Sequence, residues 1–155
     1  MRKQSSLIAG KKSDRELGAG VAVAYTHAGG TVVAALVLDC ETDFVSKNEE
    51  FSKLAHDIAM HIAAMAPTFK TREEVQESDL RAAREVFEGE AANIPEPMRS
   101  KAIEGKIDSY LKDKVLLEQS FIKDPSVTIR GLIDTAVQKF GEKVEVLRFE
   151  RLSVR

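Results

Sequence analysis

Tryptophan is absent from this sequence of 155 residues, which contains only one cysteine and three histidines. The lone Cys40 excludes a disulfide within the chain and a metal site built from cysteine pairs. The lack of a disulfide framework is typical of a reducing compartment. No apolar run approaches the roughly 20 residues that cross a bilayer, and the first residues lack the apolar core of a signal peptide. We therefore expect a cytoplasmic protein without a membrane partner.

A basic excess is also missing, because the formal net charge is −2. Proteins that bind nucleic acid neutralise phosphates with clustered lysine and arginine, so we predict no direct nucleic-acid partner. Basic residues do gather in the N-terminal segment MRKQSSLIAGKKSDR, but Asp14 and Glu16 follow at once. A short basic helix or linker over residues 1–18, with a solvated face, is the favoured interpretation.

Three segments have the composition of β-strands. GVAVAYTH (20–27) and TVVAALVLD (31–39) flank the turn AGG, where Gly29 and Gly30 supply positive φ angles. This arrangement predicts a hairpin. The last segment, KVEVLRFERLSV (143–154), has apolar residues on both faces and predicts a third strand, in a sheet that is covered on more than one side.

Helical spacing and capping residues predict four helices. They run from near Lys47, capped by Ser46 and Glu49, to Pro67; from Ser78 to about Ala92; from Met98 to about Leu116; and from Val127, capped by Ser126, to Phe140, with Gly141 as the C′ residue. SFIKDPS (120–126) is predicted to be a connector because it contains a proline. The predicted fold class is α+β, with a three-stranded antiparallel sheet (the N-terminal hairpin plus the C-terminal strand) packed with about four helices. Self-association would bury the second face of that sheet.

Catalytic constellations are not evident, and no cofactor is predicted. HAGGT lacks the spacing and the lysine of a phosphate-binding loop. His56 and His61 are five residues apart and thus about 140° apart around a helix, which disfavours a zinc site. We expect His61 at the surface or half-buried. Cys40 ends an apolar strand, so a small buried side chain is favoured over a cysteine nucleophile, although a Cys40-dependent enzyme remains an alternative.

The segment CETDFVSKN (40–48) places Phe44 at the junction between a strand and a helix. With Ser46 as the N-cap, the two residues of a hydrophobic staple would be Val45 and Glu50, which are not both apolar. Local packing therefore does not account for Phe44. Two interpretations stay open, a core position and an anchor that enters a pocket of a partner.

Five blocks, in their order along the chain, resemble translation elongation factor Ts. They are YTHAGG (25–30), LDCETDFVSKNEEF (38–51), HDIAMHIAAMAPTF (56–69), LLEQSFIKDPSVTI (116–129) and KFGEKVEVLRFER (139–151). The resemblance covers essentially the whole chain, and the combination of TDFV with DIAMHIAA is very specific.

The resemblance implies a guanine-nucleotide exchange factor, which is not an enzyme in the covalent sense. Its partner would be elongation factor Tu, the GTPase that delivers aminoacyl-tRNA. In the family, the TDFV segment enters the GTPase beside the nucleotide, which carries over to Asp43 and Phe44 with their neighbours Thr42 and Val45. The remaining implied contacts are His27, Phe140 and Gly141.

The resemblance also implies a domain organisation. Family members normally begin with a small helical domain, and residues 1–18 match only its last helix and exit. We interpret them as a remnant of that domain, and residues 19–155 as the core, or dimerisation, domain. Short members of the family pair as homodimers, so we expect a homodimer through the sheet. An alternative is a truncated docking domain that binds elongation factor Tu without full exchange activity, in a bacterium or an organelle.

Overall fold

The computed structural model describes residues 15–155. They form two compact units, one made of residues 15–66 and 120–155, the other of residues 67–119. The basic helix or linker predicted over residues 1–18 falls mostly outside the described residues, and residues 15–18 have no helix or strand. No helix within the described range is long and apolar enough to cross a bilayer.

The sheet of the first unit confirms the predicted α+β class. The strands are β1 (Ala19–Thr26), β2 (Val32–Cys40), β3 (Ser120–Phe121), β4 (Asp124–Thr128) and β5 (Glu145–Ser153). The α-helices are α1 (Asp43–Ser46), α2 (Glu49–Met65), α3 (Glu77–Glu90), α4 (Met98–Lys114) and α5 (Ile129–Phe140). Strands β1, β2 and β5 form the predicted three-stranded antiparallel sheet, and β2 is its central strand.

The β1–β2 turn contains the two glycines that predicted it. Gly29 has φ 84° and Gly30 has φ 69°, conformations that cost a side-chain-bearing residue energy. The amide of His27 donates to the carbonyl of Val32 over 2.9 Å and closes the turn.

The core of the first unit lies between one face of the sheet and α2. The central strand β2 alternates, so that Leu36 and Leu38 are buried with Cys40 on the face that meets α2. From α2, Phe51 and Ile58 are fully buried. Each such side chain contributes roughly 1.5–3 kcal/mol through removal from water.

The predicted cap of the first long helix was wrong. Its N-cap is Asn48, whose side chain accepts from the amide of Glu50 over 2.9 Å. Ser46 instead belongs to α1, because its amide donates to the Thr42 carbonyl and its Oγ donates to the Asp43 carbonyl. The TDFV segment is thus a helical turn of its own rather than a connector.

The predicted connector over residues 120–126 and the Ser126 cap were also wrong. Strands β3 and β4 pair antiparallel there, and Ser126 lies in β4, where it donates to Asp124 Oδ1. The N-cap of α5 is Thr128, whose Oγ1 accepts from the amide of Gly131 over 3.1 Å. Strand β3 has only two residues, too few to show a period of two, and Pro125 in β4 favoured the prediction of a connector.

His61 is fully buried, which contradicts the expected surface or half-buried position. Its Nδ1 accepts from the amide of Ile122 in the β3–β4 turn over 3.2 Å, and its ring lies 6.0 Å from that of Phe121. A buried ring nitrogen without a hydrogen bond would cost free energy, and this hydrogen bond removes that cost. The imidazole of His61 therefore serves as part of the core.

The second unit contains α3 and α4. Helix α3 begins after Gln76 rather than at the predicted Ser78, and the Gln76 amide donates to Asp79 Oδ2 over 3.1 Å. The core includes Ala91, Ile103, Ile107, Leu111 and Val115. Near its edge, hydrogen bonds to Glu118 and Asp108 raise the pKa of Arg72 above its usual range.

Candidate functional site

Phe44 is 86 % exposed, the largest exposure among the large apolar side chains of the described residues. It lies on α1, whose next two residues, Val45 and Ser46, are buried. A four-residue helix has a single turn, so burial of one side directs the other side outward. Of the two interpretations left open by the sequence, the exposure excludes the core position. Val45 anchors α1 in the core and offers no surface to a partner.

The single turn of α1 is closed by two backbone hydrogen bonds. Thr42 is its N-cap, with the extended angles φ −130° and ψ 154°. The amide of Ser46 donates to the Thr42 carbonyl over 3.2 Å, and that of Lys47 donates to Asp43 over 3.0 Å. Asp43 occupies the first turn, where a carboxylate interacts favourably with the helix dipole.

Glu142 connects the start of α1 to the segment after α5. Its Oε1 accepts from the amide of Thr42 over 3.0 Å, and its Oε2 accepts from the hydroxyl of Thr42 over 2.6 Å. The two residues are 100 positions apart in the sequence, and no local pattern connects them. Sequence reasoning missed this contact because a single glutamate after a helix carries no signal of its distant acceptor role.

Phe140 and Gly141 end α5 beside this connection. Phe140 is half-buried, and its ring meets that of Phe51 edge-on with centroids 5.9 Å apart. Gly141 is exposed and has φ 72°, and its amide donates to Val137 over 3.0 Å. The predicted C′ glycine is confirmed, because this left-handed conformation ends helices at low cost only with glycine. The structure therefore brings residues 140–142 and the start of α1 together.

His27 lies elsewhere on the first unit. It is exposed, follows β1, and its Nδ1 is 3.4 Å from the hydroxyl of Tyr25. The register pairs Ala19 with Cys40 and Thr26 with Val33, so His27 is at the opposite end of the hairpin from α1. Seven residues of strand correspond to roughly 24 Å. His27 and Phe44 cannot form one compact patch, although a large partner can reach both.

Cys40 is fully buried, and its Sγ donates to the carbonyl of Thr42 over 3.3 Å. Burial raises the pKa of the Cys40 thiol, and the carboxylate of Glu142 raises it further. Both effects oppose the thiolate that a nucleophile needs. Within residues 15–155, no three histidine, cysteine, aspartate or glutamate side chains are grouped so that they could hold a metal ion.

The burial of the Cys40 thiol leads to a testable prediction. A thiol-specific reagent at neutral pH should label the folded protein on the order of a hundredfold more slowly than the urea-unfolded chain, since labelling requires local opening and a thiolate. Cys40 is the only cysteine, so the signal has a single source. Labelling at the same rate in both states would contradict the buried position and reopen the possibility of a cysteine-dependent activity.

Comparison with known proteins identifies the family. The family model described as Elongation factor TS matches residues 11–155. Elongation factor Ts of Herpetosiphon aurantiacus is 42 % identical over 160 residues, covering 99 % of this chain and 79 % of the relative. Elongation factor Ts of Fervidobacterium nodosum is 40 % identical over 156 residues, with the same two coverages, and that of Desulforamulus reducens is 42 % identical over 153 residues, covering 97 % and 70 %. This chain therefore belongs to the elongation factor Ts family.

Proposed function

We propose that this protein is a guanine-nucleotide exchange factor, which binds elongation factor Tu and promotes release of GDP during translation elongation in the cytoplasm. The observation that carries the proposal is the exposure of Phe44 on a helical turn that is restrained by the burial of Val45 and by hydrogen bonds from Thr42 to Glu142. A large apolar side chain kept in water by a rigid support is typical of an anchor for a partner. Membership of the elongation factor Ts family supports the choice of partner.

Exchange needs no covalent step, only two ligands that oppose each other. A factor that weakens the binding of GDP must itself be weakened by GDP to the same degree. A phenylalanine inserted between packed elements moves them discretely, because close-packed interiors do not deform smoothly. The magnesium ion of a GTPase carries much of the local charge that holds the phosphates, so displacement of its ligands loosens the nucleotide.

The residues divide into four roles in this proposal. Asp43 and Phe44 enter the GTPase. Thr42 positions them, and Phe140 with Gly141 forms the surface beside them. His27, at the far end of the hairpin, contacts a separate part of the same partner.

Release of a fluorescent GDP from elongation factor Tu, measured with and without this chain, tests the proposal. We expect faster release when the chain is present, together with a complex of the summed mass by light scattering. A complex that forms without faster release would favour the alternative of a docking domain. If no complex forms and GDP release is not faster, the proposed partner is contradicted.

We also propose that residues 19–155 are a dimerisation domain, which pairs through the open face of the sheet. On β1 and β2 this face, opposite α2, presents the small exposed side chains of Ala22, Ala24 and Ala35. On β5 it presents Leu152, which is 70 % exposed, together with the charged Arg148 and Glu150. Side chains this small let a second sheet approach closely. An identical chain supplies the same apolar surface, as a twofold interface requires.

The dimer has a direct test in the substitution Ala24→Lys, because the residue directly opposite Ala24 is Ala35 and not a charged residue. A charge at this position of the open face should convert a particle of twice 17.1 kDa into one of 17.1 kDa, because a buried lysine without a carboxylate directly opposite is costly. Light scattering at micromolar concentration measures the change. His56→Lys, at an exposed position of α2, is the matched control and should leave the mass unchanged. A native chain that is monomeric at this concentration would contradict the dimer.

A further inference from the structure

We propose that Glu142 is a positioning residue, whose carboxylate holds α1 in the orientation that presents Phe44. The functional part of this inference rests on the proposed exchange activity, whereas its structural part does not. Glu142 is not one of the residues that the family resemblance assigns to the partner contact, and it lies directly after Phe140 and Gly141, which are.

The carboxylate of Glu142 accepts three hydrogen bonds from two consecutive residues. Its Oε1 accepts from the amides of Glu41 and Thr42 over 3.1 and 3.0 Å, and its Oε2 accepts from the Thr42 hydroxyl over 2.6 Å. Hydrogen bonds to an ionised acceptor are stronger than those between neutral groups. One side chain, that of Glu142, therefore fixes the amides of Glu41 and Thr42 and the hydroxyl of Thr42 at the start of α1.

A second carboxylate makes the reverse contact. Glu41 Oε1 accepts from the amide of Lys143 over 2.6 Å, so each glutamate binds the backbone of the other segment. We call this pair the Glu41–Glu142 clasp. Arg15 lies across it, with Nη1 3.4 Å from Glu41 Oε2 and 3.5 Å from the Gly141 carbonyl. The positive guanidinium offsets the repulsion between the two carboxylates.

Helix α1 needs such an external restraint because it is short. A single helical turn fixes several backbone dihedrals for very few hydrogen bonds, and it is unstable without outside contacts. Val45 and Ser46 restrain its C-terminal part by burial. Its N-terminal part has the Thr42 side chain, which makes no capping bond to α1 and donates to Glu142 instead. Removal of the Glu142 carboxylate would leave Asp43 and Phe44 restrained only from the C-terminal side of α1.

The clasp also joins the two segments that the partner is proposed to meet. One segment is Thr42–Phe44, and the other is Phe140–Gly141, which is fixed in turn by the edge-on contact of Phe140 with Phe51. A surface whose parts are already ordered loses less conformational entropy on binding. The clasp therefore acts on how readily the chain engages its partner, whereas Phe44 acts on what the engaged chain does to GDP.

The isolated chain offers the first test. Because tryptophan is absent from the sequence, Phe44→Trp introduces a single fluorescent indole reporter. Adding Glu142→Ala should increase the nanosecond component of the reporter's anisotropy decay about twofold, as a loosened segment would. Glu142→Gln keeps an acceptor for the two amides and should restore most of the native decay. Glu85→Ala, an exposed carboxylate on α3, is the matched control and should have no effect.

The second test uses the exchange assay on chains that retain Phe44. Glu142→Ala should raise the concentration for half-maximal stimulation of GDP release about tenfold while leaving the maximal rate within about twofold. Glu142→Gln should recover most of the loss. Glu142→Ala would overturn the proposal if it changed neither the half-maximal concentration nor the anisotropy decay of the indole reporter. The proposal would also be overturned if Glu142→Ala lowered the maximal rate of GDP release and left the half-maximal concentration unchanged.

The two tests separate failure of this inference from failure of the proposed function. If the indole reporter is loosened but the native chain does not stimulate GDP release, the positioning role stands and the exchange activity does not. If Glu142→Ala is unfolded at the assay temperature, Thr42→Val replaces it, since it removes only the bond to Oε2. An unchanged reporter decay in that folded variant overturns the inference.

Discussion

Replacement of Phe44 by alanine is expected to lower the stimulated release of GDP about 30-fold or more, while the free energy of unfolding changes by less than ~0.5 kcal/mol. In this account the contact of Phe44 forms only as GDP is displaced, so the cost of truncating this anchor, about 2 kcal/mol or more, converts to this factor in the rate of release. The fold should be unaffected because the side chain is 86 % exposed and supports no packing.

Two comparisons sharpen this prediction. Met98→Ala removes another exposed apolar side chain, on α4, and should leave GDP release unchanged. Phe44→Leu keeps apolar bulk and should give an intermediate rate. Native rates for Phe44→Ala, in a protein with native circular dichroism, would show that Phe44 is not the inserted residue.

Replacement of Phe51 by alanine should have the opposite profile. Phe51 is fully buried at the start of α2, so its loss should reduce the free energy of unfolding by about 3–5 kcal/mol. The variant also loses the edge-on contact with the ring of Phe140, at 5.9 Å between centroids. Such a contact stabilises the fold beyond the effect of its buried area. The midpoint of thermal unfolding should fall on the order of 10 °C.

Urea unfolding at one fixed protein concentration measures this loss, since association would otherwise shift the apparent stability. Phe44→Ala provides the matched control, because the same chemical change is made seven residues away on an exposed side chain. Equal unfolding midpoints for the two variants would contradict the placement of Phe51 in the core and of Phe44 outside it.

The sheet could be predicted from the sequence because its signals are local. Gly29 and Gly30 mark the turn, alternating apolar residues mark β1, and a nearly continuous apolar run marks β2. The C-terminal strand was predicted from its apolar residues on both faces, whereas its pairing with β2 came only from the structure. Helix α2 was found by its apolar spacing, although its first residue was placed two positions early.

The support of the site could not be predicted in this way. Helix α1 has four residues, which is too short for a period of 3.6 to appear. The contact of Glu142 with Thr42 joins residues that only the complete fold brings together. Phe44 was left without a local partner on the basis of Ser46 as the N-cap, which is wrong, and its exposure depends on the burial of Val45 beside it. That burial is a property of tertiary packing.

The most direct test of the role of Phe44 is the rate of GDP dissociation from elongation factor Tu, followed as a function of the concentration of this chain. We expect the rate to rise and saturate for the native chain and to stay far lower for Phe44→Ala at every concentration. A rate that remains at the value of elongation factor Tu alone, while the native chain is bound to it, would contradict the central claim that Phe44 promotes release.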